Sequence, residues 1–170
     1  MSLFDVFTGT KRPAAGTAVC SPEEVRDRLL GLNRPTSPWR VIDGAAEGVD
    51  LIAEWKIVDA EWYEIFAKAG LERVFTIALR FDPERHEVRA QDQEWHVSWK
   101  AGVPALALST HVRRGQTWSV SAGAAYGFTE TLAPGEIFRY TFATDEIKRP
   151  VQEVVTDCGW TYQGVVFGNP

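Results

Sequence analysis

The chain has 170 residues, 45% of them hydrophobic and 24% charged, with a formal net charge of −5 and a pI near 5.2. A chain of this length buries roughly 70% of the surface its unfolded form exposes, so it needs neither metal nor disulfide to fold as one domain. No run of Lys or Arg exceeds two residues, as at Lys11-Arg12 and Arg113-Arg114, which argues against nucleic acid as a partner because that affinity rests on clustered positive charge.

Two cysteines, Cys20 and Cys158, are too few for a disulfide framework. Met1 to Phe7 lacks the basic start and apolar run of a signal peptide. No stretch of 18 apolar residues occurs, so no membrane span is expected. Together these features predict a cytoplasmic protein. Seven tryptophans are many for this length, and they predict an aromatic-rich interior, pocket or interface.

In chain order, residues 1–18 read as a flexible N-terminal arm, punctuated by Gly9, Pro13 and Gly16, ahead of a single domain over 19–170. A helix starts at Ser21, a good N-cap, with Pro22 at the first position and Glu24 completing a capping box. Val25, Leu29 and Leu32 form its apolar face. Trp39 to Asp43 and Val49 to Val58 read as a hairpin, the second strand alternating Leu51, Ala53, Trp55 and Ile57 against polar neighbours. A second helix is predicted after Asp59, carrying Trp62, Ile65, Phe66 and Ala69 to Gly70.

Residues 73–92 read as a long hairpin turning at Asp82-Pro83-Glu84-Arg85. On its return strand Val88 and Ala90 hold even positions, whereas Trp95, Val97 and Trp99 hold odd ones. This change of parity predicts a bulge or strand break near Gln91 to Gln93. A further hairpin is expected over 105–122 and a strand over 137–142. The last helix carries the stripe Ile147, Val151, Val154, Val155 and Cys158, with Pro150 predicting a kink or a start at that residue. A closing strand spans 160–167.

Eight or nine strands joined by short turns, with three helices, predict an α+β fold: a mainly antiparallel curved sheet or partly closed barrel with helices on one face or inside. No internal repeat, dinucleotide fingerprint, phosphate-binding loop or serine elbow occurs.

The sharpest polar constellation is Asp92, Glu94, His96 and Ser98. In a strand these share one face, opposite Trp95, Val97 and Trp99, and acid–base chemistry is one reading. A solvated outer face is the other. Asp50, Glu54 and Lys56 pose the same alternative on another strand. His111 with Arg113 and Arg114 is suited to hold an anion, or forms a solvated hairpin tip. Trp55, Trp95, Trp99 and Trp118 either pack the core or line a cavity.

No metal site or cofactor is predicted, because no second spaced histidine, HExxH or CxxC pattern accompanies these residues. The leading expectation is a non-catalytic binding module for a small molecule, a lipid or a protein partner. An enzyme using strand carboxylates and His96, with or without metal assistance, is the alternative. Self-association into a homo-oligomer is left open by the sequence.

Overall fold

The computed structural model describes residues 9–57, 59, 62, 66–67, 73–101, 103–108, 120–122, 141–143 and 145–165. The first helix, α1 (Pro22–Leu30), begins as its capping signals require. The Ser21 hydroxyl accepts from Glu24 N, and the Glu24 carboxylate accepts from Ser21 N. Val25 and Leu29 are fully buried.

The main sheet contains β1 (Trp39–Asp43), β2 (Leu51–Trp55), β3 (Arg73–Asp82), β4 (Glu87–Lys100) and β5 (Val103–Leu108), paired antiparallel in that order. A short 3-10 turn (Ala45–Glu47) links β1 to β2. The C-terminal strand β8 (Thr161–Gly164) pairs parallel with the start of β4, matching Val88 to Tyr162 and Ala90 to Gly164. One margin of β4 thus carries β8 along its first residues and β5 along its last. A separate ribbon pairs β6 (Val120–Ala122) with β7 (Thr141–Ala143).

The sheet does not close into a barrel: among the described residues no pairing joins β1 to β5. The main sheet has six strands and the described residues hold two α-helices, in place of the expected eight or nine strands and three helices. The expected helix after Asp59 lies largely outside the described residues. Within it, Trp62 N donates to Asp59 O and Phe66 N to Trp62 O, and both rings are buried. Most of the hairpin expected over 105–122 lies outside them as well.

The bulge expected at Gln91 to Gln93 is absent. The β3–β4 register runs unbroken from Arg73 opposite His96 to Asp82 opposite Glu87. Parity changes because the two faces of β4 are covered differently along its length. Val88 and Ala90 face the core beneath the helices, and further on Val97 is buried on the opposite face.

The second helix, α2 (Asp145–Asp157), runs through Pro150 rather than starting there. It contacts α1 and β8. Ile147, Val151, Val155 and Cys158 are fully buried with Leu51, Ala53, Ile77, Leu79 and Trp160. A second aromatic cluster sets Trp55 edge-on to both Phe66 and Phe75.

The outer edge of β1 is capped by a side chain. Asn33 Nδ2 donates to Val41 O at 2.8 Å, and Val41 N donates to Asn33 Oδ1 at 2.7 Å. One carboxamide thus satisfies an edge position that would otherwise recruit another strand.

The described part of the expected N-terminal arm, residues 9–18, runs beside β8 and the end of α2. Lys11 N donates to Tyr162 O and Tyr162 N to Lys11 O, at 2.9 and 2.8 Å. Gln152 Nε2 donates to Gly9 O at 3.0 Å. Behind it, Gly159 holds a left-handed conformation (φ +73°), and a Cβ there would lie 2.7 Å from Ala18 O. Gly159→Ala is therefore expected to lower stability by about 1–3 kcal/mol, the range for backbone strain of this kind, as read by urea unfolding.

Candidate functional site

Two places concentrate polar side chains, one on each face of β4. On the helix side, Lys148 Nζ meets Asp92 Oδ2 at 2.6 Å, with the two side chains 1% and 0% exposed. The strand register explains the acid. Asp92 continues the row Val88, Ala90 and lies opposite Ile77, whose side chain is in the core. The helix explains the base, since Lys148 and Gln152 are four residues apart on the buried side of α2.

Tyr162 shares that face through β8 and is fully buried. Its hydroxyl has no hydrogen-bond partner among the described residues. Burial, and then the negative charge of Asp92, push this phenol well above the usual tyrosine range.

The sequence candidates on β4 diverge in environment. Asp92 is sealed in the core, Glu94 is half-buried and His96 is exposed. The solvated-face reading fails for Asp92, because helix α2 covers that end of the strand and supplies its cation. Asp50 is half-buried and structural: its carboxylate accepts from Phe81 N at 2.8 Å. Trp118, His111, Arg113 and Arg114 lie outside the described residues.

On the opposite face the sheet opens into a cavity of about 430 Å³. Successive registers deliver its wall: Ile52, Ala78 and Gln91 in one row, Glu54, Thr76 and Gln93 in the next, and then Val74 beside Trp95. Arg80 and Leu106 border it, as do Trp55 at the end of β2 and Ile57 beyond it.

Several of these polar groups are already oriented. Trp95 Nε1 donates to Thr76 Oγ1 at 3.2 Å, fixing the indole. Arg40 donates Nε and Nη2 to Glu54 Oε1 at 2.9 and 2.8 Å, balancing that carboxylate. Arg80 donates to Gly48 O. Of the tryptophans singled out from sequence, Trp55 and Trp95 border the cavity; Trp99 is partly buried against the core.

Sequence reasoning missed Gln91, Gln93, Thr76 and Lys148. Gln91 and Gln93 stood at the supposed bulge, and Lys148 adjoined the stripe of α2. Among the described residues no cluster of His, Cys, Asp and Glu is arranged to hold a metal ion. No helix there is long and apolar enough to cross a membrane.

The buried pair gives two expectations. Lys148→Met leaves Asp92 charged in the core and is expected to cost about 3–5 kcal/mol, while adding Asp92→Leu recovers most of the loss; urea unfolding of both variants checks this. For Tyr162, a raised folded-state pKa means the folded protein holds the phenol proton more tightly than the unfolded chain. That contribution is complete below about pH 10 and is lost as pH rises beyond it. Stability of the parent protein should fall more steeply through alkaline pH than that of Tyr162→Phe, measured by denaturant unfolding at stepped pH.

No protein-family model, curated protein or solved structure matches this chain.

Proposed function

We propose that this protein is a small-molecule binding module whose ligand lies in the cavity on the face of the sheet opposite α2. The observation that carries this reading is the cavity itself. Its volume of about 430 Å³ falls within the range of roughly 300–1,000 Å³ usual for ligand pockets, and its wall mixes apolar and aromatic surface with polar and charged side chains in about equal measure. Gln93 on β4 brings a carboxamide donor and acceptor to the wall, and Thr76 stands opposite it.

The ligand that suits this wall is planar and carries both donors and acceptors. An aromatic ring or conjugated amide packs against the Trp95 indole, and its polar edge meets the Gln93 carboxamide. Glu54 already has Arg40 as its counter-charge, which favours a ligand of low net charge over a polycation.

The catalytic alternative built on Asp92, Glu94 and His96 draws less support. Those residues face away from the cavity, and Asp92 is closed off by Lys148.

Ligand-observed NMR with a library of neutral planar heterocycles and amides tests the proposal. Binders are expected, and Trp95→Ala should weaken them at least tenfold, about 1.4 kcal/mol. Gln93→Ala should weaken preferentially those with an amide edge. Binders indifferent to both substitutions, or no binder from the library, would count against this site.

A further inference from the structure

The two cysteines are 138 positions apart in the sequence (158 minus 20) and meet in the fold. Cys20 N donates to Cys158 O at 2.9 Å. Trp160 Nε1 donates to Cys20 O at 3.0 Å. Gly159, lacking a Cβ, lets the Ala18 carbonyl come in directly beside it. These contacts hold the segment ahead of α1 against the end of α2.

That backbone bond sets the two residues side by side, as a disulfide requires, since it spans about 4.4–6.8 Å between Cα atoms. The side chains are close enough that the Cys20 thiol is among the causes that raise the Cys158 thiol. Both are free thiols, Cys20 partly exposed and Cys158 fully buried.

We propose that Cys20 and Cys158 form a reversible redox disulfide, with Cys20 oxidised first and Cys158 resolving it. With hydrogen peroxide as oxidant, the Cys20 thiolate attacks one peroxide oxygen and the O–O bond breaks. The departing hydroxide takes up a proton to become water, and Cys20 is left as a sulfenic acid. The Cys158 sulfur then attacks the Cys20 sulfur. The S–S bond forms, the S–O bond breaks, and the oxygen leaves as a second water carrying the Cys158 proton. Two thiols and one peroxide become one disulfide and two waters: the sulfurs lose two electrons together and the peroxide gains them.

The roles follow from placement. Oxidant reaches the partly exposed thiol, and the buried one waits behind it. Burial, and then the neighbouring Cys20 thiol, push the Cys158 thiol up to about 11; it therefore stays a thiol until Cys20 is oxidised, and loses its proton to the leaving oxygen only as its sulfur attacks. Once formed, the bridge ties the N-terminal segment to the end of α2 and closes most of the chain into one covalent loop, which constrains the unfolded state strongly. A pair of this kind suits a reducing compartment, where disulfides are transient and report oxidant.

The experiment treats the reduced full-length protein with a small excess of hydrogen peroxide and maps the products by intact-mass and non-reducing peptide mass spectrometry. Expected are a loss of two hydrogens per chain, a cross-linked Cys20–Cys158 peptide pair, reversal by dithiothreitol, and a higher melting temperature for the oxidised form. In Cys158→Ser, dimedone should trap a sulfenic acid at Cys20 that the parent protein does not accumulate. Parent protein that ends with dimedone-reactive or over-oxidised Cys20 beside a reduced Cys158, with disulfides only between chains, or with both thiols intact, overturns the proposal. Should Cys158→Ser fail to fold, the mapping of the parent protein decides alone.

Discussion

The Lys148–Asp92 pair joins the helical layer to the longest strand of the sheet, and much of the architecture is arranged around it. Two opposite charges in a dry interior are tolerated only when each meets the other, since an isolated buried charge costs several kcal/mol. The pair therefore restricts how α2 sits on the sheet. A slip of β4 by one residue would turn Asp92 to the other face, and a rotation of α2 would withdraw Lys148. Apolar packing by Ile147, Val151 and Val155 supplies adhesion, whereas the ion pair adds a requirement on the position of the helix that apolar contact alone does not impose.

That geometry divides the two faces of β4. Beneath α2, the even positions Val88, Ala90 and Asp92 are buried; the odd positions Gln91, Gln93 and Trp95 line the cavity on the other side. Side-chain alternation lets one strand serve a core and a recognition surface at once. Since β3 pairs with β4 without a bulge, the rows across the cavity floor are set by the same register that places Asp92. Core and cleft are two readings of one strand alignment.

The N-terminal segment closes the remaining side. Lys11 pairs with Tyr162, Gln152 holds Gly9, and Cys20 meets Cys158, so the start of the described chain is fastened to its end. Gly159 makes the approach sterically feasible: it ends the helical region in a left-handed conformation and leaves room for the Ala18 carbonyl. The cysteine pair sits at the seam, where a covalent link has the largest effect on the connection between the two ends.

Local chemistry alone determined a good deal of this protein. The Ser21, Pro22 and Glu24 start of α1, the strand alternation from Leu51 to Trp55 and the turn at Asp82-Pro83 are written in neighbouring residues, because caps, pleats and turns depend on spacings of a few positions. The α+β class and the mainly antiparallel sheet were legible from the same signals. The parity change in β4 was legible too, but its cause was not: a bulge and an exchange of covering layers leave the same pattern along one strand. Only the tertiary structure decided that Asp92 would find Lys148, that Gln91 and Gln93 would face a cavity with Trp95, that β8 would pair parallel with β4, and that Cys20 would lie against Cys158. Each of these depends on elements distant in the chain, and periodicity within one element carries no information about which element will cover it.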